Sequence, residues 1–142
     1  MCELEEQDKV QSRMGKKEEE KFREMWKDKD VYIWRIPDYA FSGARSPSPC
    51  DYLVVENGRS KFFEIKHTNS LTSFPIDSFT DEQLIQLRKH KHEGKGESFV
   101  VIYNPDGMYI LDIDDVLKYI RENTRKSLPF KWIKEVCKNG FY

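Results

Sequence analysis

Asp51, Glu64 and Lys66 mark the two ends of one short stretch, CDYLVVENGRSKFFEIKHT, residues 50–68. Between them apolar residues alternate around Asn57-Gly58, a pair that supplies the two positive φ angles of a type I′ hairpin turn. With those two residues at the turn, Val55 faces Ser60, Leu53 faces Phe62 and Asp51 faces Glu64. Opposed residues hold their Cβ atoms roughly 4.5–5.5 Å apart, so two carboxylates meet at the open end of the hairpin. Period-two alternation puts Lys66 on the face of Glu64. Two acids that close repel unless a positive charge sits between them. A hard divalent cation such as Mg²⁺, with Mn²⁺ a second candidate, binds through one or two carboxylates and keeps several waters. A lysine beside it can orient or deprotonate a bound water, or stabilise charge building on a phosphate. The pattern points to metal-dependent phosphodiester chemistry. The same residues also suit a strand-start cap and cross-strand pairing on a solvated sheet face.

The surrounding sequence has to position this hairpin. Glu19, Phe22 and Trp26 follow Gly15 at a helical period, so a helix is expected from Gly15. VYIWRI (31–36) reads as a strand and PDYAFSGARSPSP (37–49) as a loop. Past the hairpin, TNSLTSFPIDSF reads as a loop. A helix follows over 80–92, its Thr80 and Gln83 spaced as a capping box and Gly94 lying beyond its end. SFVVIY (98–103) and MYILDI (108–113) are expected strands joined by an NPDG turn. Two short helices around 113–122 and 129–138 close the chain. The order α-β-β-β-α-β-β-α implies a single α/β domain, a mixed sheet flanked by helices, over 14–142. Residues 1–13 read as a flexible polar segment.

Composition narrows the classes. With 142 residues, 38% hydrophobic and 13% aromatic, the chain suits one core. Nothing approaches 18 consecutive apolar residues, so no membrane span is expected. The three cysteines (Cys2, Cys50, Cys137) are far apart and outside any CxxC pattern, which fits reduced thiols in the cytoplasm. The net charge of −1, from 24 basic and 25 acidic residues, lacks the basic excess of a dedicated DNA binder. Any nucleic-acid affinity then rests on local patches, RKHKHEGK (88–95) and RKSLPFKWIK (125–134).

Asp-(x)12-Glu-x-Lys on paired strands, preceded by a helix bearing Glu, resembles the PD-(D/E)xK nuclease superfamily. More closely, Asp51-Tyr52, Phe63-Glu64-Ile65-Lys66-His67-Thr68, Thr72-Ser73-Phe74-Pro75 and Gln83 resemble the RecU-type Holliday junction resolvases of bacteria and their phages. The likeness covers about residues 50–105 and extends more weakly to Gly15 and Glu19. It implies a restriction-endonuclease-like αβββαβ core and a Mg²⁺-dependent endonuclease that resolves four-way DNA junctions as a homodimer in the cytoplasm. It also implies a catalytic set of Asp51, Glu64, Lys66, Glu19 and Gln83, with Asp51, Glu64 and Glu19 at the metal. Two features depart from the family. The long stalk-like insertion between the second and third strands is replaced by the short loop 37–49. Glu82 stands where a histidine usually precedes the glutamine.

Each further residue has a plain structural reading beside the functional one. Glu18 and Glu19 both align with apolar residues of the first helix, so phase alone leaves either free to complete the site. Gln83 serves as a capping-box partner or contacts a bound water or phosphate. Thr68, Thr72 and Ser73 cap turns or hold DNA phosphates. Arg88, Lys89, Lys91 and Arg45 are candidate phosphate contacts. His90 and His92 lie about 200° apart on a helix and so do not chelate one ion together; they are expected to face solvent or phosphate. A second reading is another PD-(D/E)xK endonuclease acting on duplex or flap DNA. A third is a non-catalytic binding module that keeps the fold.

Overall fold

The computed structural model describes residues 17–37 and 48–138. The expected flexible segment 1–13, Gly15 and Arg45 lie outside these residues. A helix, α1, runs over 17–25. It is followed by β1 (Tyr32–Arg35), β2 (Tyr52–Glu56), β3 (Arg59–His67), β4 (Ser73–Pro75) and a 3₁₀ turn (Ile76–Ser78). Then come α2 (Asp81–His92), β5 (Glu97–Asn104), β6 (Gly107–Asp112), α3 (Ile113–Glu122), β7 (Ser127–Pro129) and α4 (Phe130–Val136). The main sheet has the order β1-β2-β3-β5-β6. Only β3 and β5 are parallel, and α2 forms the crossover that parallel pairing demands.

Both faces of the sheet are covered. Phe22 of α1 and Trp26 just past its end pack on Tyr52, Val54, Phe63, Phe99 and Val101, with the Phe22 and Phe63 ring centroids 4.8 Å apart. The opposite face, with Val100, Ile102 and Leu111, carries α2, α3 and α4 through Leu87, Val116 and Ile133. Central β5 is therefore buried on both sides, which explains its nearly continuous apolar run.

Two elements escape the sequence periodicities. β4 and β7 pair as a separate two-stranded ribbon, Phe74 opposite Leu128. Each spans three residues and ends in proline, too short to show an alternating pattern. The Ile76 amide donates to Lys126 O and that of Phe130 to Thr72 O, both at 2.9 Å, which ties the TSFP run to the C-terminal helix.

The histidine expected to face solvent is a correction. His90 stacks on Phe62 at 3.6 Å and 4°. Its ring nitrogens meet Ser60 Oγ at 2.7 Å and Ser98 Oγ at 2.8 Å. Gln83, Leu87 and His90 occupy one helical stripe, so a face that reads as basic in sequence presents its imidazole to the sheet. Gly96 makes room for that ring, since a Cβ there would collide with His90 Nε2 and approach Ser60 Oγ to 2.8 Å. Gly96→Ala is therefore expected to cost about 1–3 kcal/mol by overpacking, read as a lowered urea midpoint at unchanged m-value.

Candidate active site

The hairpin turn forms as its sequence demands, with Asn57 at φ 53 and Gly58 at φ 77. Its register runs from Glu56–Arg59 through Val55–Ser60 and Leu53–Phe62 to Tyr52–Phe63. Asp51 lies just beyond that ladder. Its amide donates to Phe63 O at 3.0 Å and its carbonyl accepts from Ile36 at 2.9 Å. Its side chain does what a backbone carbonyl would do next: Asp51 Oδ2 accepts the Ile65 N–H at 2.7 Å. The carboxylate is thus locked to β3 and meets Glu64, which is 4% exposed.

Asp51 and Glu64 act on one another's acidity, and two buried carboxyls so placed favour a proton on one of them. Burial pushes Glu64 up to about 8, and the facing Asp51 charge adds to the shift against the pull of Lys66. Burial also raises Asp51, as does the charge of Glu19, while the Ile65 N–H and Lys66 oppose the rise. Glu64 therefore holds the proton. Two buried oxygen donors competing for one proton fit a divalent cation of the hard, oxygen-loving kind.

Lys66 Nζ lies 3.4 Å from Glu64 Oε1. It donates to Ser78 O at 2.9 Å and to Gln83 Oε1 at 3.1 Å. Gln83 joins the helix cap to the site. Its backbone N–H donates to Thr80 Oγ1 and its Oε1 accepts from Thr80 N, each at 3.1 Å. Its Nε2 donates to Glu64 Oε1 at 3.0 Å. One amide serves as capping-box partner and as clamp on both Glu64 and Lys66.

Glu19 points toward Asp51 and Tyr52, whose acidities its charge weakens. Its carboxylate is held by Arg35 Nε at 2.8 Å, and among the described residues no group of three or more His, Cys, Asp or Glu is gathered to hold an ion. Glu18 instead faces Tyr103 at the C-terminal ends of β3 and β5. Thr68, Thr72 and Ser73 lie in a hydroxyl-rich loop after Lys66. Thr68 Oγ1 accepts from Ser70 N, and Ser70 Oγ accepts from Thr72 N and Ser73 N. Arg88 and Lys89 are exposed on α2. Lys91 differs from the expected phosphate contact: Asp112 Oδ1 at 2.7 Å and Asp114 Oδ2 at 2.6 Å hold its ammonium, because α3 begins opposite the end of α2. The sequence gives no sign of the Ser78 carbonyl on Lys66, since backbone groups carry no residue signature.

Comparison with known proteins shows the family and the fold. The family model for RecU, recombination protein U, matches residues 38–140. The chain belongs to the RecU family. It is 32% identical over 111 residues to the Holliday junction resolvase RecU of Ureaplasma parvum, covering 76% of this chain and 64% of that protein. It is 32% identical over 103 residues to the RecU resolvase of Staphylococcus carnosus, covering 69% and 48%. The chain thus spans about half to somewhat under two thirds of these relatives. In fold it is similar to Hjc of Archaeoglobus fulgidus, titled a Holliday junction resolvase, with TM-score 0.57 and 16% identity over 81% of this chain and 86% of that one. The sheet with its flanking helices is therefore a restriction-endonuclease-like fold, as expected for RecU proteins. No helix among the described residues is long and apolar enough to cross a membrane.

The proton on Glu64 has a measurable sign. Between the ordinary carboxyl value of 4.5 and about 8, the folded chain holds a proton on Glu64 that the unfolded chain has released. Raising pH through that window then favours the unfolded chain. In EDTA the Tm is expected to fall from pH 5 to pH 8, and Glu64→Gln is expected to flatten the decline. A wild-type Tm that rises steadily across the window contradicts the assignment.

Proposed function

We propose that this chain is a Mg²⁺-dependent endonuclease that resolves four-way DNA junctions by paired phosphodiester hydrolysis. The observation that carries the reading is the buried Asp51–Glu64 carboxyl pair, with Lys66 beside it, at the open end of the hairpin in a RecU-family chain. Asp51 and Glu64 would hold the cation, Mg²⁺ or Mn²⁺, once Glu64 gives up its proton, and Glu19 adds negative charge from α1. The bound metal would lower the pKa of water and offset charge on the phosphate.

The chain's own residues supply the rest. Lys66 Nζ, held by the Ser78 carbonyl and Gln83, brings its positive charge and its remaining N–H to the attacking water or a phosphate oxygen. Gln83 keeps Glu64 and Lys66 in place through the first turn of α2, as a positioning residue. Hydrolysis would leave 5′-phosphate and 3′-hydroxyl ends. Thr68, Thr72 and Ser73, beside Lys66, are suited to hold the strand through its phosphates, with Arg88, Lys89 and Arg45 adding charge. Two symmetric nicks across a junction call for a homodimer with its sites related by a two-fold axis. The setting implied is the cytoplasm of a bacterial or phage-infected cell.

Asp51→Asn is expected to abolish Mg²⁺-dependent cleavage and leave junction binding at wild-type strength or tighter, since a charge that repels phosphate is removed. Lys66→Ala is expected to slow the chemical step by about 10²–10⁴ in single-turnover assays while circular dichroism stays unchanged. Cleavage by either variant within a few fold of wild type would sink this site.

Binding is expected to favour a labelled four-way junction over an equal-length duplex by at least tenfold, with the protein running as a dimer in light scattering. A monomer that cuts duplex or flap DNA as readily as junctions favours the general-nuclease reading instead. Replacing Arg88 and Lys89 together by alanine should reduce the log–log salt slope of binding by about 2. Lys91→Ala, which breaks ion pairs within the fold, should lower Tm and leave the slope alone.

A further inference from the structure

On the other side of the strand that carries Lys66 lies a polar cleft of ≈ 160 Å³. Glu18, Lys21, His67, Thr68, Tyr103 and Asn104 line it. Three of its polar atoms are buried with no hydrogen-bond partner among the described residues: Glu18 Oε2, the Tyr103 hydroxyl and Asn104 Nδ2. Tyr103 is 7% exposed. Buried polar groups are paired in nearly all folded proteins, and a lost partner costs about 1–3 kcal/mol each. Three in one cleft leave hydrogen-bonding capacity there for water or a ligand to fill.

The three atoms differ in character, and the difference constrains the ligand. Lys21 Nζ stands 3.6 Å from Glu18 Oε2, an ion pair too long for a hydrogen bond, so the carboxylate still seeks an N–H. Asn104 Oδ1 already accepts from Asp106 N at 2.9 Å and Gly107 N at 3.1 Å. That fixes the amide and leaves its NH₂ as a donor. The Tyr103 hydroxyl can play either part. A free phosphate is disfavoured by Glu18. A neutral ring with an N–H beside a carbonyl or ring nitrogen satisfies all three, and that is the edge of a nucleobase.

Position relates the cleft to the site. His67 and Tyr103 are neighbours in the parallel β3–β5 register, directly after Lys66 and Ile102. Glu18 precedes Glu19 on α1. One residue on each element separates the cleft from the candidate catalytic groups, across the end of the sheet. A strand whose phosphate lay at Lys66 would have to cross this edge to reach the cleft.

We propose that the cleft receives one unstacked base of the cleaved strand and thereby sets a sequence preference beside the scissile phosphate. This deepens the endonuclease reading above and rests on it for the identity of the strand. The Tyr103 and Glu18 side chains read the base edge, and Asn104 supplies the donor.

The test has two arms. In the first, junctions carrying each of the four bases at the positions flanking the cut are digested by wild type, Glu18→Gln, Tyr103→Phe and Asn104→Ala. Wild type is expected to favour one base at one position by about 5- to 100-fold, and each variant to pull that ratio toward one while cleavage of disfavoured junctions stays within about twofold. Identical ratios in wild type and all three variants overturn the proposal. In the second, 2-aminopurine at the favoured position is monitored on binding in EDTA, where no cutting is needed. Wild type is expected to brighten it by unstacking and Tyr103→Phe to lose the effect; an unchanged signal overturns the proposal and leaves a cleft filled by water or by the chain's own backbone. A protein that captures the base but cuts no junction sinks the endonuclease reading and keeps the cleft. One that cuts junctions evenly with no fluorescence change does the reverse.

Discussion

Two carboxyl groups are pressed together in the interior, at the end of a hairpin that closes only if they are. The strand pairing that buries Tyr52, Val54 and Phe63 against α1 brings Asp51 up to Glu64. Burial of an unpaired charge is costly, and such groups take up a proton or a cation instead. The neighbourhood is organised around that fact. The Ile65 amide, Lys66 and the Gln83 amide all aim at the pair. In the absence of metal they leave a proton on Glu64. The strain of this arrangement is relieved by positive charge, which the proton on Glu64 and the Lys66 ammonium supply here.

What keeps the pair from relaxing apart is helix α2. It is fastened to β3 at two points of one stripe, Gln83 at its first turn and His90 seven residues on. The first fastening is polar and reaches the site. The second is an imidazole stacked on Phe62, with both nitrogens bonded to serines on adjacent strands. The β4–β7 ribbon holds the chain just before α2, and Lys91 locks its far end to the start of α3. Rotation or sliding of the helix would break contacts at both ends together. A glutamine amide three bonds from its backbone is thereby made rigid enough to direct a lysine.

Much of this was legible in the residues. Asn57-Gly58 set the register, and the register set Asp51 near Glu64. Thr80 and Gln83 announced the start of α2. What stayed hidden has physical causes. β4 and β7 are too short for a period, so only their pairing with each other defines them. His90 lies in a basic run whose composition suggests solvent, and the decisive fact, that its stripe faces Phe62 across Gly96, depends on tertiary packing. Lys91 looks free in sequence because the acids that bind it lie on a different element. Tyr103 reads as one more residue of a buried strand, and only the missing partner of its hydroxyl sets it apart. The choice between Glu18 and Glu19 turns on a rotation of about 100° per residue, which places one beside Asp51 and the other beside Tyr103.

The hairpin's geometry also dictates the order in which the molecule comes together. A two-residue turn closes in about 1–10 μs, and pairing then zips outward from Asn57-Gly58. The carboxyl pair sits at the last rung, where repulsion opposes closure and local pairing has least to offer. That rung is secured only when β5 arrives alongside β3 and α2 docks, a long-range event with a high loop-closure cost. A newly made chain therefore has its hairpin well before it has a site. By the same reasoning the carboxyl pair is the rung of the hairpin that opens most readily, while pairing near Asn57-Gly58 still holds.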